Sequence, residues 1–322
     1  MSNSSSIFSY QLISQSMTIY FGFFTLITGF FGGLLNILVF MTLKTFRSTP
    51  CVFYLTTASV VNVTQLLTSL LIRILSYGFY VDPTRVSWFC KLRMFTVQYS
   101  ALISLTCMSL AIVDQFVSMK HERLSSLQLA HRHVFISCII FLIHGIPFLL
   151  YFGSVNDVCQ IVDSSFAKYV SFFYFPLLLG FLPLIIMITF ASLAFFTSRT
   201  NANRNRHIEI SSRNRQLSAM VLVQAIFIVL LTVPYLIVNI YALTVDSLQQ
   251  DPVLHARNNM IQSVTILFYY ESYATPFYVF YAVSRRFRKQ VGYVLIDIHF
   301  KRFQQAANNL NNNQVVPNTE IN

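Results

Sequence analysis

Three charged side chains stand inside apolar runs of the chain: Arg73 in "LLIRILSYG", Asp114 in "SLAIVDQFV" and Glu271 in "FYYESYATP". Ionisable groups in such surroundings are costly, so they face a partner, a water-filled cavity or a ligand. The chemistry open to Arg73 and Glu271 is charge recognition. Two readings stand: they contact the charged or amidated ends of a bound peptide, or they pair with each other. Asp114 lies where its apolar run gives out, beside Gln115. At such an edge water, the neighbouring amide or loop donors can serve the acid. His144, inside another apolar run, reads as an interhelical hydrogen-bonder or as a proton relay. Nothing in the sequence sets up catalysis: no metal-spaced His/Asp/Glu cluster and no Ser/His or paired-Asp set falls within the apolar runs. The chain is therefore read as no enzyme and as needing no cofactor. Five cysteines are an odd count, so at least one thiol stays unpaired.

The elements that must position these residues follow from composition. The chain is 55% hydrophobic and 10% charged, where a soluble domain carries about 25% charged residues. So few charges cannot cover a water-facing surface, and most of the surface must face lipid. Lys and Arg outnumber Asp and Glu, 22 to 11, but nucleic-acid binding needs a basic face on a soluble fold. No nucleic-acid partner is read from it. A helix that crosses a bilayer needs about 20 mostly apolar residues. Seven runs qualify, at about 19–43, 52–75, 91–113, 134–153, 168–196, 217–243 and 259–283.

The basic residues fall mostly on one side of these runs: Lys44 and Arg47, then Lys120, Arg123 and Arg132, then the Arg-rich segment 198–220, then "RRFRKQVGYVLIDIHFKRF" at 285–303. The excess of Lys and Arg in cytoplasmic loops predicts the N-terminus outside and the C-terminus inside, as a multi-pass protein of the plasma membrane. Residues 1–18 read as an extracellular tail without the charged n-region of a removable signal. Asn3 heads a glycosylation sequon there. Residues 284–303 read as an amphipathic helix on the anionic leaflet, and the Asn-rich 304–322 as a disordered tail.

Residues at particular places sharpen this. Gly32, Gly33 and Asn36 share the first run. Cys90 opens the third, with Asp114 24 residues later, and Cys159 falls in the loop after the fourth. Pro183, Pro234 and Pro276 fall in the fifth, sixth and seventh. Their order and spacing over about 19–303 resemble the rhodopsin-like (class A) G-protein-coupled receptors, as a divergent member. The resemblance implies an all-α membrane protein, a seven-helix bundle with a short juxtamembrane helix. It also implies a Cys90–Cys159 disulfide, an extracellular ligand (a peptide is favoured) and a heterotrimeric G-protein partner. Ligand-pocket candidates are Arg73, Arg93, Gln98, Tyr99, Tyr235, Asn239, Tyr270 and Glu271. Switch positions are Asn36, Asn62, Asp114, Gln115, Pro183, Pro234 and Pro276.

The departures from the family are as informative. Gln115 replaces the arginine that follows the conserved-pattern aspartate, Asn62 replaces the sodium-binding aspartate, and Ala191 stands where a tyrosine is usual. Thr275 and either Val279 or Phe280 replace the asparagine and tyrosine of the seventh-helix motif. Val97 stands at the amine-binding position, which argues against a biogenic amine. No lysine occurs in 259–283 to hold retinal. The alternatives are a receptor-like protein that binds without G-protein signalling, and a transporter or channel.

Overall fold

The computed structural model describes residues 2–43, 47–120, 124–202, 208–244 and 251–300, with side chains at 5–43, 47–120, 124–197, 216–242 and 251–296. The side chains of Asn3 and of the Arg-rich segment 198–215, and the whole of the tail 304–322, lie outside this set, so the expectations made on them do too.

In a bilayer every backbone polar group must be satisfied within the protein, and a helix does this locally. The apolar runs accordingly form long helices: α1 (Ser2–Thr42), α2 (Pro50–Gly78), α3 (Ser87–Lys120), α4 (Leu127–Tyr151), α5 (Ser164–Tyr169, Val170–Phe181 and Leu182–Ala202 in one run) and α6 (Ile208–Thr244). All six are long and apolar enough to cross a membrane. This is an all-α, multi-pass membrane protein. Hydroxyls within the helices give their protons to carbonyls one turn back, as Thr18 does to Ser14 and Ser59 to Leu55.

α7 (Pro252–Ala274) and α8 (Pro276–Val283) follow, separated at Thr275 because Pro276 has no N–H to continue the ladder. This stretch is not among the six apolar crossings. Arg257, Asn258, Asn259, Gln262 and Ser263 make its first half polar. It packs between α1 and α6 all the same, and α1 also packs on α2, which closes a ring. α3 runs through the middle, touching α2, α4, α5 and α6.

Lipid tails are as apolar as leucine, so helices in a bilayer associate through close packing of small residues and through hydrogen bonds. Gly29 of α1 shows the first effect. A Cβ there would meet Leu66 at 2.5 Å and the Cβ and Cα of Ala274 at 2.8 and 3.1 Å. Gly145 does the same for α4, letting it lie against Phe95 and Gln98 of α3.

The sequence reading starts the first helix near residue 19, but the helix begins at Ser2. At 1.5 Å per residue its length is about 60 Å, twice a hydrocarbon core. The added turns dock on the end of α2: Gln15 donates to the Gly78 carbonyl at 2.8 Å, and Ile19 lies against Gly78. Between α4 and α5 stands a hairpin, β1 (Phe152–Val155) and β2 (Val158–Ile161). Its turn residues Asn156 and Asp157 have φ of 50° and 63°, which a two-residue hairpin turn of the primed type requires and which Asn and Asp tolerate. Phe152 at its base stacks on Phe148 of α4, beside Phe166.

After α8 the chain turns at Ser284 into α9 (Arg285–Gly292), continued by the wider turns of Tyr293–Phe300. The Ser284 hydroxyl caps α9 by accepting the Phe287 N–H at 3.1 Å. Phe287, Val291 and Val294 are buried, and Phe287 meets Phe40, Phe277 and Phe280. Arg288 donates to the last carbonyls of α8, at Tyr281 and Ala282. The molecule thus has a hairpin end and an α9 end.

Candidate functional site

At the hairpin end α2, α3 and α7 bring ionisable side chains together. Arg73 of α2 donates from Nη2 to Ser263 Oγ of α7 at 3.3 Å and lies over the Tyr77 ring, 4.5 Å from its centre. Arg93 of α3 sits in the electrostatic reach of Arg73, Tyr77, Tyr270 and Asp82. Tyr270 meets Ser69 of α2 at 2.5 Å, hydroxyl to hydroxyl. Tyr235 of α6, stacked on Tyr269 with ring centres 4.3 Å apart, feels the Arg73 charge as well.

Asp82, in the turn between α2 and α3, completes the group. Its Oδ1 accepts from Ser76, from the Thr84 hydroxyl and from the Thr84 N–H, at 3.0, 2.6 and 2.9 Å. Partial burial pushes its carboxyl up, but these hydrogen bonds and the Arg93 charge outweigh it and leave the group below its ordinary value.

Cys90 and Cys159 are bridged, with Cα atoms 5.6 Å apart. The bond ties the second strand of the hairpin to the head of α3. Cys51, Cys107 and Cys138 are free thiols.

The other pocket candidates point elsewhere. Gln98 is buried, donates to the Phe141 carbonyl at 3.4 Å, and accepts from His144 Nδ1 at 3.1 Å. With that nitrogen donating, His144 Nε2 accepts the Tyr169 hydroxyl at 2.8 Å, so one neutral tautomer joins α3, α4 and α5. Tyr99 stacks on Phe95, ring centres 6.0 Å apart. Asn239 donates to its own helix at Tyr235 and accepts from Gln262 of α7. Glu271 accepts from Thr25 of α1 at 2.7 Å. It therefore turns away from Arg73, and the pairing of the two does not form.

Along the middle of the bundle, Asn62 accepts from Ser104 and Gln65 from Ser100, both at 2.5 Å, which stitches α2 to α3. Asn36 is buried with its Oδ1 unbonded among the described residues. Gln224 of α6 donates to Thr275 at 3.4 Å, at the break before Pro276. Val279 and Phe280, the two alternatives for the missing tyrosine, are both buried.

At the α9 end the Asp114–Gln115 dipeptide divides its partners. Asp114 accepts from Ser125, in the turn before α4, at 2.7 Å. Gln115 does not serve its neighbour: its Oε1 accepts from Ser218 of α6 at 3.0 Å, and the residue is buried. Tyr54 of α2 meets His133 of α4 at 3.0 Å nearby. An apolar groove of about 320 Å³ lies between α5 and α6 in the half nearer the α9 end. Ala191 is among its lining residues, and a tyrosine ring at that position would occupy part of it.

Sequence reasoning missed Ser69, Ser263, Thr25, Ser125 and Ser218. Each is a small hydroxyl in or beside an apolar run, with no local signal that marks it. Compared with known proteins, the chain matches no family model and no curated sequence.

Proposed function

We propose that the chain is a seven-helix receptor of the rhodopsin-like kind. In this reading α7 and α8 make the seventh crossing, with the hairpin end facing outside and the α9 end facing the cytoplasm at the plasma membrane. An extracellular ligand, a peptide by preference, binds near Arg73 and Tyr270, and a heterotrimeric G protein meets the α9 end. The observation that carries this is the difference between the two ends of α3. One end is joined covalently to a loop. The other is joined to α6 by a hydrogen bond between neutral groups, Gln115 to Ser218. A disulfide contributes about 2–4 kcal/mol and a neutral hydrogen bond about 1 kcal/mol net. A transducer needs this arrangement: a fixed ligand end, and a far end that yields to a binding energy of ordinary size.

The second reading is a binder that does not signal, and Gln115 favours it. The arginine that the resemblance places there has a charged, forked head that an amide lacks. Nucleotide exchange on a panel of purified G proteins separates the two, using reconstituted wild type, Gln115→Arg and Ser218→Ala. Basal exchange above empty vesicles, rising with Ser218→Ala as α6 is freed, supports the receptor. Silence from wild type and Ser218→Ala with exchange from Gln115→Arg assigns the protein to the non-signalling binders. Silence from all three overturns G-protein coupling for this scaffold.

A further inference from the structure

Resting on the reading that the hairpin end receives the ligand, we propose that Arg73 and Arg93 together bind a carboxylate, carried on a partly apolar molecule. The two guanidinium groups come from adjacent helices into one polar cluster, and each has its Nε buried with no hydrogen-bond partner among the described residues. No described acid forms an ion pair with either. Asp82 acts on Arg93 without forming an ion pair, and both it and Glu271 are held by hydroxyls. Asp82 Oδ1 takes three hydrogen bonds from Ser76 and Thr84, and Glu271 is turned to Thr25 of α1. Asp246, in the α6–α7 loop, lies outside the described residues.

Two like charges within electrostatic reach of each other and partly out of water cost free energy unless an anion joins them. A carboxylate suits the pair of arginines better than a point anion, because guanidinium forks match its two oxygens in bidentate fashion. The surroundings specify the rest of the molecule. Tyr77 lies under Arg73, and the stacked pair Tyr235 and Tyr269 stands beside it with Tyr270. Of these rings Tyr77 is exposed and offers apolar surface to whatever carries the acid, while the three buried rings back the cluster. A peptide's C-terminal residue and a free organic acid share this chemistry.

The test uses purified full-length protein in lipid nanodiscs, without G protein, so that its outcome is independent of coupling. Binding is read by isothermal titration calorimetry. The probes are a pool of tripeptides with free C-termini, the same pool amidated, 3-phenylpropionate and 3-phenylpropanamide. Free acids are expected to bind at least tenfold tighter than their amides, and Arg73→Gln or Arg93→Gln is expected to abolish that preference. Tighter binding of the tripeptides points to a peptide C-terminus, and tighter binding of phenylpropionate to a free acid. Equal binding of acids and amides, or none of either, overturns the proposal. The unliganded variants give a second reading. Removing a cation that has no counter-charge leaves the midpoint of thermal unfolding unchanged or raises it. A midpoint lowered by several degrees in both variants means that the arginines already have an internal counter-anion, and this too overturns the proposal. Acid-selective binding without nucleotide exchange leaves the site standing and removes the coupling; exchange without acid selectivity does the reverse.

Discussion

α3 meets its neighbours differently at its two ends. At the hairpin end it is fixed by the Cys90–Cys159 bond and carries Arg93 into a cluster of charged and aromatic side chains. At the α9 end it is held by small neutral and edge contacts, Gln115 to Ser218 and Asp114 to Ser125. Between them, Ser100 and Ser104 bind it to α2. The difference teaches that one helix can be an anchor and a moving part at once, provided its strong and weak attachments are kept at opposite ends.

The largest effect should come from releasing the anchor. Cys90→Ser removes the bond to the hairpin and is expected to cost about 2–5 kcal/mol, read as a drop in the thermal unfolding midpoint of the protein in nanodiscs. An unchanged midpoint would mean that the hairpin end is held by its packing alone, and the contrast would lose its basis. Next is Gly145→Val, which forces α4 away from Phe95 and Gln98 and breaks the His144 network with it. Overpacking of this kind costs about 1–3 kcal/mol. The loss should appear equally with the disulfide intact or reduced, since Gly145 acts on a different interface.

Ser218→Ala is expected to be milder in stability, about 1 kcal/mol, and larger in motion. A spectroscopic label at the α9 end of α6 should show a broadened distance distribution to α3, while a label on the hairpin does not move. A rigid α6 in this variant would show that the neutral contact is not what restrains it. The smallest effect concerns Asp82. Its carboxyl lies below its ordinary value in the folded protein, so its contribution is fully present above the unfolded value of about 4. That contribution is lost as pH falls through the lower, folded value. The unfolding midpoint of wild type should therefore fall more steeply below about pH 4 than that of Asp82→Asn. Parallel curves would remove Asp82 from the anchor.

How much of this could be read in advance varies with how local the cause is. Six apolar helices and the three prolines follow from composition and local backbone chemistry, so they are plain in the sequence. The Cys90–Cys159 bond follows from the resemblance and is present. The hairpin was not foreseen, because Phe152–Ile161 has no clean alternation and its turn is set by Asn156 and Asp157 rather than by glycine. The site was legible in its charges and opaque in its geometry. Arg93 and Gln98 are five positions apart, which on a helix is about 140° around the axis. One residue therefore faces α2 and α7 while the other faces α4. Glu271 follows Tyr270 by one position, about 100°, and so turns to α1 while Tyr270 turns to α2. The serines that complete these contacts come from distant segments, and their roles exist only once the ring has closed.

The wide turns of α5 carry a consequence for how this chain tolerates change. Over Val170–Phe181 the helix is wound with hydrogen bonds of the π type, around Pro176. Such a turn holds one more residue than an α turn, as an inserted codon would leave it. Deleting a single residue within 170–181 would relax a turn to α-helical winding without breaking the helix. Because the narrower turn covers the same rotation with one residue fewer, the two halves of the crossing would keep their relative orientation. Tyr169 would stay on His144, and Pro183 and the α9 end would stay in register with it. A one-codon deletion at this place would be absorbed, where the same deletion in an ordinary α turn would rotate one half of the crossing by roughly 100°.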